Sequence, residues 1–339
     1  MQSPSDPIGE FGLIQRFFKT GANAMQSNSS ITLGIGDDCA LLRPATGEEL
    51  AITTDMLVEG RHFLPGANPE LLGRKALAVN LSDLAAMGAK PVGFTLALAL
   101  PKADSAWLEG FSKGLFAMAN EHSCALVGGD TTAGPLNICI TAFGNIPTGK
   151  AIRRSGAKAG DDIWVSGELG DARLTLAALH HEVSLPELDL KQIEHRMHQP
   201  TPRVELGIQL RDIATAALDI SDGLLGDLKH ILKESQVDAQ IFLDQIPKSA
   251  ILLKQSKAIQ NQFAACGGDD YEICFTAPSH QRNIIEKLSN SLHLSLTRIG
   301  QTTAMKNAEA KVVLFSGDGN PISDSDTTIL LKSFDHFAS

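Results

Sequence analysis

The sequence predicts a two-domain protein of the α/β and α+β classes, divided near residue 147. Three observations lead there. Patterns through residue 143 run strand, strand, helix, strand, helix, strand, an order that suits one α/β or α+β unit. Residues 147–161 are basic and Gly-rich, without apolar periodicity, and read as a linker. Strand and helix patterns then resume toward the C-terminus. A chain of 339 residues is long enough for two cores. The expected domains are 1–147 and 148–339.

Residues 1–7 are polar and Pro-rich and read as a frayed end. Phe11, Ile14 and Phe18 recur at helical spacing and predict a short amphipathic helix over 10–18. Residues 20–30 are rich in Asn, Ser and Gly and read as a loop. Strands are expected over 38–42 and 50–54, which puts Asp55 at a strand end, and Glu59 to Phe63 follows as a loop carrying His62. Pro69 to Met87 reads as a helix with Leu77, Leu81, Leu84 and Ala85 as its buried stripe. Ala76, Asn80, Asp83 and Met87 share another face, either a solvated polar stripe or one turned to a ligand. Gly93 to Pro101 alternates and stops at Pro, as a strand does. A helix over 106–124 and the strand Ala125-Leu126-Val127 lead into a Gly128-Gly129-Asp130 turn, and 136–143 reads as another strand.

Gly144 to Ala151 nearly matches the phosphate-loop pattern. However, Ala151 replaces the Ser or Thr that would hold magnesium, and Pro147 sits inside the loop. The segment reads better as a linker whose Arg153 or Arg154 reaches a phosphate. Beyond it come a strand over 162–166, a helix from Asp171 to about His181, and a partly irregular stretch over 183–202 with three prolines. A helix over 204–215 follows. Leu224, Leu228, Ile231 and Leu232 line one face of the next helix, with Ser221 and Asp222 at its start. Gly267-Gly268-Asp269-Asp270 precedes a strand, residues 279–293 read as a helix, and 311–315 as a strand.

Gly36-Asp37-Asp38 sets two adjacent carboxylates in a turn before an apolar run. At 4 Å such a pair repels by about 1 kcal/mol in water and about 4 kcal/mol near a protein surface. Either the turn is simply solvated or it holds a hard cation. Recurrence favours the cation. Thr53-Thr54-Asp55, Asn80 to Asp83, Gly128 to Thr132 and Asp219 to Gly223 repeat the theme of Asp beside Gly, Ser or Thr at the edge of an apolar run. Hydroxyls, carboxylates and close-approaching glycines, without a His/Cys cluster, suit magnesium and phosphate. Five scattered cysteines form no C-x-x-C and argue against a disulfide framework or a zinc site, as in a reducing, cytoplasmic compartment. The net charge of −10 disfavours a nucleic-acid partner, and no run is long and apolar enough for a membrane span.

These motifs, in this order, resemble thiamine-monophosphate kinases, and the resemblance runs from Gly9-Glu10-Phe11 to Phe334-Asp335-His336-Phe337. It implies an N-terminal mixed-sheet α/β domain that binds ATP and dimerises, and a C-terminal α+β domain of the aminoimidazole ribotide synthetase type. It implies transfer of the γ-phosphoryl group of ATP to thiamine monophosphate with several Mg²⁺ ions, and a homodimer. By motif, the magnesium ligands would be Asp38, Thr53, Thr54, Asp55, Asp83, Asp130, Asp219 and Asp222, with Asp55, Asp130 and Asp222 at the reacting phosphates. Gly129, Asp130, Arg154 and Ser221 would meet ATP, and His62, Asp269 and Phe334 the acceptor. This chain carries Asp269 and Phe334 where the family often has Glu and Tyr. The alternatives are a sister ATP-dependent enzyme acting on another acceptor, and a non-catalytic nucleotide-binding regulator. The first 30 residues contain no Cys, against a selenophosphate synthetase.

Overall fold

The computed structural model describes residues 10–19, 22, 29–323, 327, 330 and 331. The chain divides into two compact units, residues 1–84 with 89–149 and residues 85–88 with 150–339.

The first unit opens with the helical turn α1 (Glu10–Leu13), which widens into a π-helical stretch over Ile14–Lys19 that buries Phe17 and Phe18. Strands β1 (Ile31–Leu33) and β2 (Leu41–Leu42) form a small antiparallel pair. Then come β3 (Glu48–Val58), helix α2 (Pro69–Ala86), β4 (Lys90–Leu100), helix α3 (Ser105–Glu121), β5 (Ala125–Ala133) and β6 (Asn137–Pro147). The main sheet has the order β3-β6-β4-β5, antiparallel except for the β4–β5 pair. Period two sends Leu96, Leu98, Ile138 and Ile140 to one face, where they are buried. On the opposite face of β3, Ile52 and Met56 are 61% and 52% exposed. Asp104 caps α3, its carboxylate accepting from Ala106 N and Trp107 N at 3.1 and 3.2 Å.

Beyond shifted strand bounds, with Leu41–Leu42 alone forming the strand expected over 38–42 and β6 running on through Pro147, three features of this unit differ from the sequence reading. Asp55 lies inside β3, because Met56, Leu57 and Val58 continue the ladder with β6. Helix α2 is buried nearly all round, Lys75, Asn80 and Ser82 included, so Asn80 sits on no solvated stripe. Gly128-Gly129-Asp130 forms no turn but continues β5 through a register shift against β4. Glycine permits this: Gly129 has φ +148°, and a Cβ there would sit 1.9 Å from the Leu96 carbonyl oxygen. Gly129→Ala is therefore expected to cost at least about 2 kcal/mol of stability, read as a fall in the denaturant midpoint.

The second unit contains β7 (Asp162–Ser166), α4 (Asp171–Leu179), α5 (Glu187–His198), α6 (Val204–Leu210), β8 (Ala216–Asp219), α7 (Leu224–Ser235), β9 (Val237–Phe242), α8 (Lys257–Cys266), β10 (Ile273–Ala277), α9 (Arg282–Leu292), β11 (Leu296–Ala304) and β12 (Val312–Phe315). Its sheet runs β12-β9-β11-β7-β10-β8 and is mixed, since β12 pairs with β9 in parallel. The predicted face of α7, Leu224, Leu228, Ile231 and Leu232, is fully buried against Ile163, Val165, Ala239 and Ile241 in one core. The stretch over 183–202, expected to be partly irregular, contains α5. Pro186 stands at its N-cap, where a missing N–H costs nothing. The helix begun at Val204 ends at Leu210, short of Thr215.

Candidate active site

In the first unit the acidic residues fall into two places. Thr53 and Asp55 alternate with Thr54 along β3, so their side chains take opposite faces. Thr53 Oγ1 donates to the Asp83 carboxylate on α2. Asn80 on the same helix accepts from Asp55 N at 3.1 Å and donates to Ala76 O at 3.1 Å. The predicted one-face placement of Asn80 and Asp83 thus brings both to β3. Thr54 Oγ1 instead lies 2.9 Å from Thr141 Oγ1 on β6, away from Thr53. Burial and then the charge of Asp55 push the Cys139 thiol up, so the Asp55 charge reaches the neighbouring strand.

The second place is a cavity of about 820 Å³ lined by Lys19, Gly36, Asp38, Gly128, Gly129 and Asp130, among others. It brings Asp38 and Asp130 to one space, with the β5 glycines allowing close backbone approach. Asp38 N bonds to Asp37 Oδ1 at 3.0 Å, which fixes the tight turn of the acidic pair. His62 lies elsewhere in the unit: its Nδ1 accepts from Val58 N at 3.0 Å, leaving the proton on Nε2.

In the second unit, Asp219 ends β8 and is buried, with Ser221 and Asp222 in the turn that follows. Asp227 organises that turn. Its Oδ2 accepts from Ser221 N and Asp222 N at 3.0 Å and from Gly223 N at 3.1 Å. Burial, and then the Asp222 charge, push the Asp227 carboxyl up to about 7 against the pull of those donors. Sequence reasoning misses Asp227 because it resembles any first-turn acid of a helix. Arg154 is exposed, and its carbonyl accepts from Ser235 Oγ at 2.9 Å. Asp269 is half-buried and accepts from the Tyr271 hydroxyl at 3.2 Å. Phe334 lies outside the described residues.

The donors fit magnesium by chemistry, since all are oxygens. Among the described residues no three His, Cys, Asp or Glu side chains converge as a cage. Carboxylates offered singly or in pairs suit Mg²⁺ that keeps waters and binds substrate phosphates. All five cysteines are unpaired. No described helix is long and apolar enough to cross a membrane.

Comparison with known proteins places this arrangement. Residues 36–146 match the family model described as AIR synthase related protein, N-terminal domain. A thiamine-monophosphate kinase of Salmonella typhimurium is 46% identical over 332 residues, covering 97% of this chain and 98% of the relative. The chain belongs to the thiamine-monophosphate kinase family. The crystal structure of the family member from Stenotrophomonas maltophilia superposes with a TM-score of 0.82 at 44% identity, over 93% of this chain and 98% of that one. AaThiL complexed with AMPPCP and TMP gives 0.73 at 30% identity, over 99% of both chains. These likenesses bear out the two-domain α/β and α+β fold and the resemblance in the sequence motifs.

Proposed function

We propose that this chain transfers the γ-phosphoryl group of ATP directly to thiamine monophosphate, forming thiamine diphosphate. The full-length match to thiamine-monophosphate kinases carries the reading. The bond from the γ-phosphorus to its bridging oxygen breaks, ADP leaves, and a phosphate oxygen of the acceptor forms the new bond. Donor and acceptor are both anionic, so charge and position dominate the task and little covalent chemistry falls to the protein.

Magnesium, when bound, supplies the positive charge that lets two phosphates approach in line. Asp38, Thr53, Thr54, Asp55, Asp83, Asp130, Asp219 and Asp222 would hold it, Thr54 through a backbone or water contact given its opposite side-chain face. Gly129 offers bare backbone to ATP, Ser221 a hydroxyl and Arg154 a guanidinium fork suited to phosphate. His62, Asp269 and Phe334 would meet the acceptor. Exposed Ile52 and Met56 on the open sheet face support a homodimer through the first unit, since apolar patches of this kind mark contacts. Five unpaired cysteines fit action in the cytoplasm.

The test is ATP consumption by the purified chain with Mg²⁺, with and without thiamine monophosphate, while product is followed. Acceptor-dependent thiamine diphosphate supports the reading. Turnover without that product, or a phosphoenzyme trapped with γ-labelled ATP in the absence of acceptor, overturns it. Sedimentation of the same sample as a monomer would remove the dimer from it.

A further inference from the structure

The turn from Gly268 to Glu272 is built on unfavourable backbone. Asp269 and Tyr271 both have left-handed conformations, φ +67° and +49°, which non-glycine residues keep only when their surroundings over-determine them. Three backbone bonds tie the turn to the segment after β8: Asp269 N to Ser221 O at 2.9 Å, Tyr271 N to Ile220 O at 2.8 Å, and Ile220 N to Glu272 O at 2.8 Å. Asp270 anchors the other side, both its oxygens accepting from Gly170 N at 3.0 Å.

At the end of the turn the Glu272 side chain is buried. It accepts from Arg196 Nη2 at 2.6 Å, from Arg203 Nε at 2.7 Å, from Arg203 Nη2, and from Ser166 Oγ at 2.5 Å. Ser166 Oγ in turn accepts from Ile273 N at 2.9 Å. A Cβ on Gly167 would stand 2.2 Å from Glu272 Oε1, so the end of β7 closes over the carboxylate. An apolar trio of similar volume would hold a core here as well or better, because buried ion clusters carry a large desolvation cost. What the cluster provides beyond packing is a fixed direction.

We propose that Glu272, gripped by Arg196 and Arg203, is a positioning residue. It locks the Asp269 backbone against the Asp219–Gly223 turn and so fixes the spacing between acceptor contact and metal side in this unit. Tyr271 completes the device by aiming Asp269 through its hydroxyl. The inference rests on the proposed kinase reaction and on Asp269 meeting the acceptor.

Two variants test it. Tyr271→Phe removes only the hydroxyl that aims Asp269. Arg203→Lys keeps the charge on Glu272 and loses the two-pronged grip. Each is expected to raise the KM for thiamine monophosphate about ten-fold, the worth of one hydrogen bond to a charged group, with the KM for ATP unchanged. A merely structural role would lower the folded, active fraction and leave both KM values where they were. An unchanged acceptor KM in folded Tyr271→Phe overturns the inference, and that variant decides alone if Arg203→Lys fails to fold. A wild-type chain that forms no thiamine diphosphate sinks the kinase reading and this inference together. An active wild type with unaltered variants sinks the inference only.

Discussion

Asp55→Asn is expected to lower thiamine diphosphate formation by at least about a hundred-fold, with the melting temperature unchanged. The substitution keeps shape and removes charge. Strand β3 is held at this point by backbone: Asp55 N bonds to Asn80 Oδ1 at 3.1 Å, and the residue pairs with Ile140 in the β3–β6 ladder. Both contacts run through the Asp55 backbone, which the isosteric amide leaves in place when the charge goes. The carboxylate stands two residues from Thr53, on the same face of the strand; Thr53 is bonded to Asp83, and the Asp55 charge already perturbs Cys139. A metal held between this carboxylate and substrate phosphates would bind less well to a neutral amide. The magnesium concentration for half-maximal rate is therefore expected to rise as well. Product formation against magnesium, together with a thermal melt, checks both. Retention of wild-type rate by a folded Asp55→Asn chain would remove this residue from the reacting centre.

How far the sequence reveals this site depends on the range of the interaction. Helical spacing puts Asn80 and Asp83 on one face of α2, and both do turn to β3. That inference needs only the period of the helix. It misses the burial of the rest of α2, because partners on its other sides, the Phe111 and Leu115 backbone of α3 among them, come from later in the chain. Gly128-Gly129 reads as a turn since glycine usually punctuates. Here glycine lets β5 pass the Leu96 carbonyl and remain in the ladder. Strand β11, Leu-Thr-Arg-Ile-Gly-Gln-Thr-Thr-Ala, carries too many polar residues to announce itself, yet it pairs with both β7 and β9. Helix α8 and strand β9 likewise escape the sequence reading. The grip of Arg196 and Arg203 on Glu272 spans 76 and 69 residues of chain, and no local pattern foretells it.

That same ion cluster gives the second large effect. Glu272→Gln is expected to cost about 3–5 kcal/mol of stability at pH 7, the range for breaking a buried charge pair by removing one partner. The Glu272 side chain is 1% exposed, and those of Arg196 and Arg203 are 14% and 17% exposed, so water replaces little of what is lost. Burial alone would raise the Glu272 carboxyl. The hydrogen bonds and charge of Arg203, then the charge of Arg196 and the Ser166 hydroxyl, outweigh it and hold the group below the ordinary carboxylate range. The sign of the pH dependence follows. A carboxyl whose folded pKa is depressed binds its proton more readily in the unfolded chain. Its contribution is complete above the unfolded value of about 4.3 and is lost as pH falls through the lower folded value. The gap between wild type and Glu272→Gln should therefore stay constant from neutral pH to about 5 and close under stronger acid. Taking the difference between the two chains removes the other carboxyls that titrate in parallel, Asp171, Asp227 and Asp270 among them. Denaturant midpoints across that range measure it. A gap that widens in acid would mean that Glu272 is protonated in the folded chain at neutral pH, and that the two arginines are held by something else.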